Sequence, residues 1–226
     1  VITVTLGDNP NYDVTAENGT FIIDKKAASI TADNKSKTYG DADSALTATI
    51  TGLVGNDTLD YKLSRAEGEN AGTYVITVTL GKNPNYDVTV KNGTLTIGKK
   101  AATVTAADKF KTYGKVDPAL TAKVTGLVGD DTLNYTLSRA RGENVGRYAI
   151  MVTLGNNPNY NVTVVGAKLT INKKSVTVVA DSKSKTYGNA DPALTATVTG
   201  LVGKDVLDFT LSRAVGENVG EYTITV

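Results

Sequence analysis

One stretch of text limits this chain more than its composition does. Leu63 to Tyr86 reads LSRAEGENAGTYVITVTLGKNPNY and returns almost unchanged as Leu137 to Tyr160. KTYG recurs with its tyrosine at Tyr39, Tyr113 and Tyr187, and NPNY with its proline at Pro10, Pro84 and Pro158, each time 74 residues apart. Self-similarity at a fixed period marks a repeat architecture, in which every period is one folding unit that leans on its neighbours. The 226 residues hold three periods and four residues more (3 × 74 = 222). The expected division is residues 1–24 as the closing strands of one repeat, 25–98 and 99–172 as complete repeats, and 173–226 as a repeat without its last strands. Val1 and Val226 are therefore expected to cut through repeats of a longer array.

Within a period the pattern is that of strands. After the KK pair, Ala28, Ile30 and Ala32 alternate with Ser29 and Thr31, the two-residue period of a half-buried strand. Lys35 to Gly40 reads as a short edge strand. Leu46, Ala48 and Ile50 give a third strand, and Leu59, Tyr61 and Leu63 a fourth. Tyr74, Ile76, Val78 and Leu80 make the longest alternation and the central strand. The Asn83-Pro84-Asn85 turn leads into Tyr86, Val88 and Val90, and Asn92-Gly93 reads as a type I′ hairpin returning through Leu95 and Ile97. Asp41 to Leu53 is the one window where a short helix competes. About seven short strands with regular turn signals predict an all-β fold, a tandem array of small immunoglobulin-like β-sandwiches. With almost no linker between periods, the array is expected to be an elongated, semi-rigid rod.

Composition narrows the chemistry. There is no histidine and no cysteine, so His-dependent triads, thiol nucleophiles, His/Cys zinc sites and disulfides are excluded. Glu67 and Glu69 form a carboxylate pair, yet Arg141 and Val215 stand in the place of Glu67 in the later copies, so an acid or base there is not required. The expectation is no enzyme. A net charge of +1 without a basic run argues against nucleic acid, and no apolar run reaches the ~20 residues of a membrane-spanning helix, so no membrane insertion is expected in this segment.

Four groups of residues remain as candidates for a site. Glu69-Asn70-x-Gly72-x-Tyr74 recurs whole and is similar to the run entering strand F of immunoglobulin-like domains, where Gly72 would permit the corner and the Tyr74 hydroxyl would bond back across it. Tyr39, Tyr86, Tyr113, Tyr160 and Tyr187 keep their identity in every copy and are the candidate ligand-binding residues, as stacking platforms for sugar rings, with turn anchoring as the other reading. Asp41, Asp43, Asp57 and Asp60 offer the hard oxygens calcium prefers, although turn capping explains them better; no cofactor is expected beyond that one candidate ion. Lys37, Asn70 and Asp57 are chemically eligible for an isopeptide cross-link.

The KTYG strand, the ALTATVTGLVG strand, the GENxGxYxI corner and the NPNY turn together resemble the MBG domain of the YGX type, over the whole repeat. That resemblance implies a tandem module of large bacterial surface and secreted adhesins. The function expected is a structural stalk or spacer outside the cell, whose partners are neighbouring repeats of a longer parent chain. Two other readings stand beside it: a weak multivalent module binding mucin-type glycans or a host glycoprotein, and a fibre assembling through unpaired strands.

Overall fold

Strands are the only regular structure in the computed structural model, which describes residues 1–226. Its contacts divide it into two units, Val1–Lys100 with Pro158–Asn161, and Ala101–Asn157 with Val162–Val226.

In the first unit, residues 25–98 form seven strands: β1 (Lys26–Ala32), β2 (Lys35–Thr38), β3 (Ala48–Thr51), β4 (Tyr61–Arg65), β5 (Gly72–Leu80), β6 (Tyr86–Lys91) and β7 (Gly93–Gly98). They pair into a three-stranded sheet of order β3-β1-β6 and a four-stranded sheet of order β2-β7-β5-β4. β2 is an edge strand and β5 an inner one, as the alternation predicts. The two-residue period puts Ala28, Ile30 and Ala32 of β1 inward against Ile76 and Val78 of β5 and Leu95 and Ile97 of β7, all buried in one core. Removing each large aliphatic side chain from water contributes about 1.5–3 kcal/mol, which must offset most of the ordering entropy in so small a unit.

The sandwich departs from wholly antiparallel pairing in two places. β1 runs parallel to β6 and β2 parallel to β7. Asn92-Gly93 consequently joins strands of different sheets, and the hairpin expected there is corrected to a crossing between layers. No non-glycine residue has positive φ, and Gly93 is not among the glycines that do, so the type I′ geometry is absent. Asn92 instead uses its side-chain oxygen to accept the Val78 N–H at 3.1 Å. The window from Asp41 to Leu53 contains no helix. Within it β3 is followed by Gly52, where φ is 87° and an added Cβ would lie 2.6 Å from the Ala27 carbonyl oxygen, so β3 can turn only by bringing its backbone against the start of β1.

Residues 1–24 are exposed and carry a single backbone bridge, Ile2 with Gly19. One period on, the same pair is Ile76 opposite Gly93. The NPNY turn is formed here too, with Tyr12 N–H donating to the Asn9 carbonyl at 3.1 Å.

The other strands of the chain are β8 (Lys100–Ala106), β9 (Lys109–Thr112), β10 (Ala122–Thr125), β11 (Tyr135–Arg139), β12 (Gly146–Leu154), β13 (Tyr160–Val165) and β14 (Ala167–Asn172), then β15 (Thr177–Ala180), β16 (Ala196–Thr199), β17 (Ser212–Arg213) and β18 (Ile224–Thr225). The sheets β10-β8-β13 and β11-β12-β14-β9 reproduce the order seen in 25–98. In the second unit Ala106, Ile150, Leu169 and Ile171 are buried together. Residues 173–226 form two short antiparallel pairs, β15 with β16 and β17 with β18.

Candidate functional site

The residues that converge best in each repeat are charged. Lys37 on β2 reaches Asp43 at 2.7 Å and also pairs with Glu69. Arg65 at the end of β4 donates from Nε to the other Asp43 oxygen at 2.5 Å and from Nη2 to Glu69. Its Nη1 donates to the carbonyls of Ala66 at 2.9 Å and Gly68 at 2.7 Å, and its guanidinium lies 5.8 Å from the centre of the Tyr74 ring. Two cations and two carboxylates thus alternate around a closed ring. The same ring is built by Lys111, Asp117, Arg139 and Glu143, and by Lys185, Asp191, Arg213 and Glu217.

Lys37 retains 5 % side-chain exposure, so its ammonium depends on these partners rather than on water. Its bond to Asp43, then that to Glu69, raises its pKa above the ordinary lysine value. Lys37 and then Arg65 hold the Asp43 carboxyl below its ordinary value, and the same two cations depress Glu69. In the last copy Arg213, followed by Lys185, brings Asp191 down to about 2. A carboxylate held ionised by two cations is a poor general acid, and its lone pairs are taken. The cluster works as a clamp on the loop that enters β5.

That loop is a tyrosine corner. The Tyr74 hydroxyl donates to the Asn70 carbonyl at 2.8 Å, and Tyr148 and Tyr222 do the same to Asn144 and Asn218 at the same distance. The glycine that permits it is Gly68 rather than Gly72. Gly68 has φ of 131°, and a Cβ there would come within 2.4 Å of the Tyr74 ring. Gly72 has no positive φ and lies in β5. The Tyr74 ring is half-buried beneath Arg65 rather than sunk in the core.

The five candidate tyrosines fall into different settings. Tyr86 and Tyr160 are buried, which leaves no ring face for a sugar. The Tyr86 hydroxyl donates to Asp57 at 2.5 Å and accepts the Val54 N–H at 3.0 Å, so it ties the NPNY turn to the GLVGND turn. The Asp57 carboxylate raises its pKa. Tyr39 is half-buried with its ring edge-on to Tyr160, centroids 5.5 Å apart. Tyr113, also half-buried, bonds to Asp205, which raises its pKa. Tyr187 alone is open, at 71 % exposure.

In the first unit, Asn159 of the third NPNY turn is seated on the GEN corner. Its side-chain oxygen accepts the Ala71 N–H and its amide donates to the Asn70 side chain, both at 2.9 Å. This accounts for Asn70, and Lys37 and Asp57 are engaged elsewhere, so the three isopeptide candidates do not meet. The acids are likewise engaged apart from one another: Asp41 accepts the Thr38 N–H at 3.3 Å, Asp43 bonds Lys37 and Arg65 in the ring, Asp57 bonds Tyr86, and Asp60 accepts the Lys82 N–H at 3.2 Å. No group of three acidic side chains converges as a metal site would require.

The ring was legible in part. LSRA precedes every GEN corner, and Lys37, Asp43, Arg65 and Glu69 persist through all three copies while Glu67 does not. That persistence was the available signal, and only pairing of the strands shows that the four charges meet.

The family profile of the MBG domain (YGX type) matches three times in tandem, over residues 28–96, 102–170 and 176–226. The chain belongs to this family. MBG domains of this type are structural repeat modules of surface proteins rather than an enzyme family, which accords with a site built of clamps and turn anchors. No curated protein matches the chain.

Proposed function

We propose that this MBG array is a structural stalk or spacer segment of a bacterial cell-surface or secreted adhesin, working outside the cell. The observation that carries the reading is the spacing of the repeats. Lys99 alone separates β7 from β8, and the turn at Asn159 is fastened to the corner at Asn70 and Ala71 by two side-chain bonds. A connection of one residue between neighbouring repeats suits a part whose task is to hold distance. Small-angle scattering of the 226-residue chain tests it: the expected particle is extended, and a compact one overturns the proposal.

Weak multivalent binding of a glycan or host glycoprotein is the competing reading, and Tyr39 and Tyr113 speak against it, since each is half-buried against a residue of the following repeat. Saturable binding on a glycan array that disappears in Tyr187→Ala would replace the stalk with a recognition module. The stalk reading expects no such signal.

A further inference from the structure

One repeat differs from the others on a single face. In 99–172 the sheet β11-β12-β14-β9 buries Ile150, Leu169 and Ile171, and alternate residues of the same strands are exposed on its outer side. Phe110 of β9 stands opposite Thr170 of β14, and Thr170 opposite Arg147 of β12, so the three form a row across that outer face. Lys168 lies opposite Ala149 in the next row, and Met151 opposite Ser138 beyond it. Phe110 is 66 % and Met151 47 % exposed, and Arg147 and Lys168 are exposed as well.

One period earlier these four positions are Ser36, Thr73, Thr77 and Thr94, and one period later Phe110, Arg147 and Met151 become Ser184, Glu221 and Thr225. The inward positions keep their text, Ile76 as Ile150, Leu95 as Leu169 and Ile97 as Ile171, so the core does not call for the change outside. Charge follows the same division. Residues 99–172 hold ten lysines and arginines against five aspartates and glutamates, whereas 25–98 hold eight of each. The ion pairs of this repeat are those of the charged ring, and neither Arg147 nor Lys168 enters one. Asp108, at the border of the face, uses its carboxylate to accept the Lys168 backbone N–H at 2.8 Å.

Aromatic residues, methionine and arginine are the types that protein–protein interfaces enrich, and cations without an acid beside them are complementary to a partner's carboxylates. A sugar would be bonded through hydroxyls, yet hydroxyls are what this repeat has exchanged for Phe110, Arg147, Met151 and Lys168. Three strands about 4.8 Å apart, and four residues at about 3.4 Å each from Arg147 to Met151, give a patch of about 10 by 14 Å. That is far below the ~800 Å² per partner of a standard globular interface and suits a short extended segment.

We infer that the outer face of β9, β14 and β12 in 99–172 binds an extended acidic polypeptide segment, whose apolar side chains rest on Phe110 and Met151 and whose carboxylates meet Arg147 and Lys168. The stalk reading rests on the connections between repeats and this inference on one face, so each can fail without the other.

Selection of a phage-displayed random peptide library on the 226-residue chain tests it. The expected peptides combine aspartate or glutamate with interspersed apolar residues, and their affinity falls as salt rises from about 0.05 to about 0.5 M. The fourfold variant Phe110→Ser, Arg147→Thr, Met151→Thr, Lys168→Thr restores the text of 25–98 and is expected to bind them about tenfold more weakly or worse, its melting temperature checking that it is folded. The reverse graft, Ser36→Phe, Thr73→Arg, Thr77→Met, Thr94→Lys, is expected to raise the stoichiometry from one peptide per chain to two. A selection that enriches nothing, peptides that bind the folded fourfold variant equally well, or a stoichiometry unmoved by the graft overturns the inference. Heparin, or vesicles of phosphatidylcholine and phosphatidylserine in equal parts, bound by the wild-type chain and not by the fourfold variant also overturns it, since the face then belongs to a polysaccharide or a lipid surface.

Discussion

Two glycines in the GLVG turn of residues 99–172 separate backbone conformation from backbone crowding. Gly126 has φ of 87° and Gly129 has φ of 51°, so alanine at either site bears the left-handed penalty of about 1–2 kcal/mol. Only Gly126 is crowded. An added Cβ there lies 2.6 Å from the Ala101 carbonyl oxygen and 3.1 Å from the Ala102 Cα, whereas at Gly129 nothing lies within 4 Å. Relief requires moving the first strand of the repeat against Ala102 and Val104, both buried, and forced repacking of that kind costs about 1–3 kcal/mol more. Gly126→Ala is therefore expected to destabilise by about 2–5 kcal/mol and Gly129→Ala by about 1–2 kcal/mol. The reduced freedom of the unfolded chain offsets both equally, by about 0.4–1 kcal/mol. Calorimetry of the two variants checks it, at about 4–8 °C for each kcal/mol in a unit of this size. Equal shifts would refute the claim that close approach, rather than the sign of φ, fixes this glycine.

The charged rings set a pH window. Carboxylates depressed in the folded state contribute stability that is complete above their unfolded pKa and is lost as pH falls through the folded value. The lysines, raised in the folded state, hold theirs until pH rises beyond the ordinary lysine value. Melting temperature is expected to be flat near neutrality and to fall from about pH 4 toward about 2, where Asp191 titrates; a midpoint of loss near pH 6 would contradict the assignment. Tyr148→Phe removes one hydroxyl bond at the corner and is expected to cost about 1 kcal/mol by urea unfolding, with no change in the denaturant slope. Intact mass spectrometry is expected to give the unmodified chain, because Lys37 is held protonated between two carboxylates away from Asn70; a loss of one ammonia per repeat would show otherwise.

Local alternation was enough to place the strands, since each face of β1 and β5 is written in its side chains. Pairing was not legible in the same way. Asn92-Gly93 has the text of a hairpin, but Leu95 and Ile97 gain more by entering the other layer between β2 and β5 than by folding back on β6. The tyrosine corner could be read because its bond spans four residues, from Tyr74 to Asn70. The ring could not, because Lys37 and Glu69 are 32 residues apart and meet only after the sheet has assembled. The identity of Tyr86 across copies was visible, yet its burial followed from Asp57 and Val54, partners set by turns distant in sequence.

The parallel pairing of β1 with β6 and β2 with β7 has a mechanical consequence. Strands from the start and the finish of the repeat point the same way, so the chain comes in at one end of these ladders and leaves at the other. Tension applied through the flanking sequence therefore slides the strands along one another. The hydrogen bonds that join residues 26–31 to 86–91 and residues 35–38 to 95–98 are loaded together in shear, rather than unzipped one at a time as in a hairpin pulled from its open end.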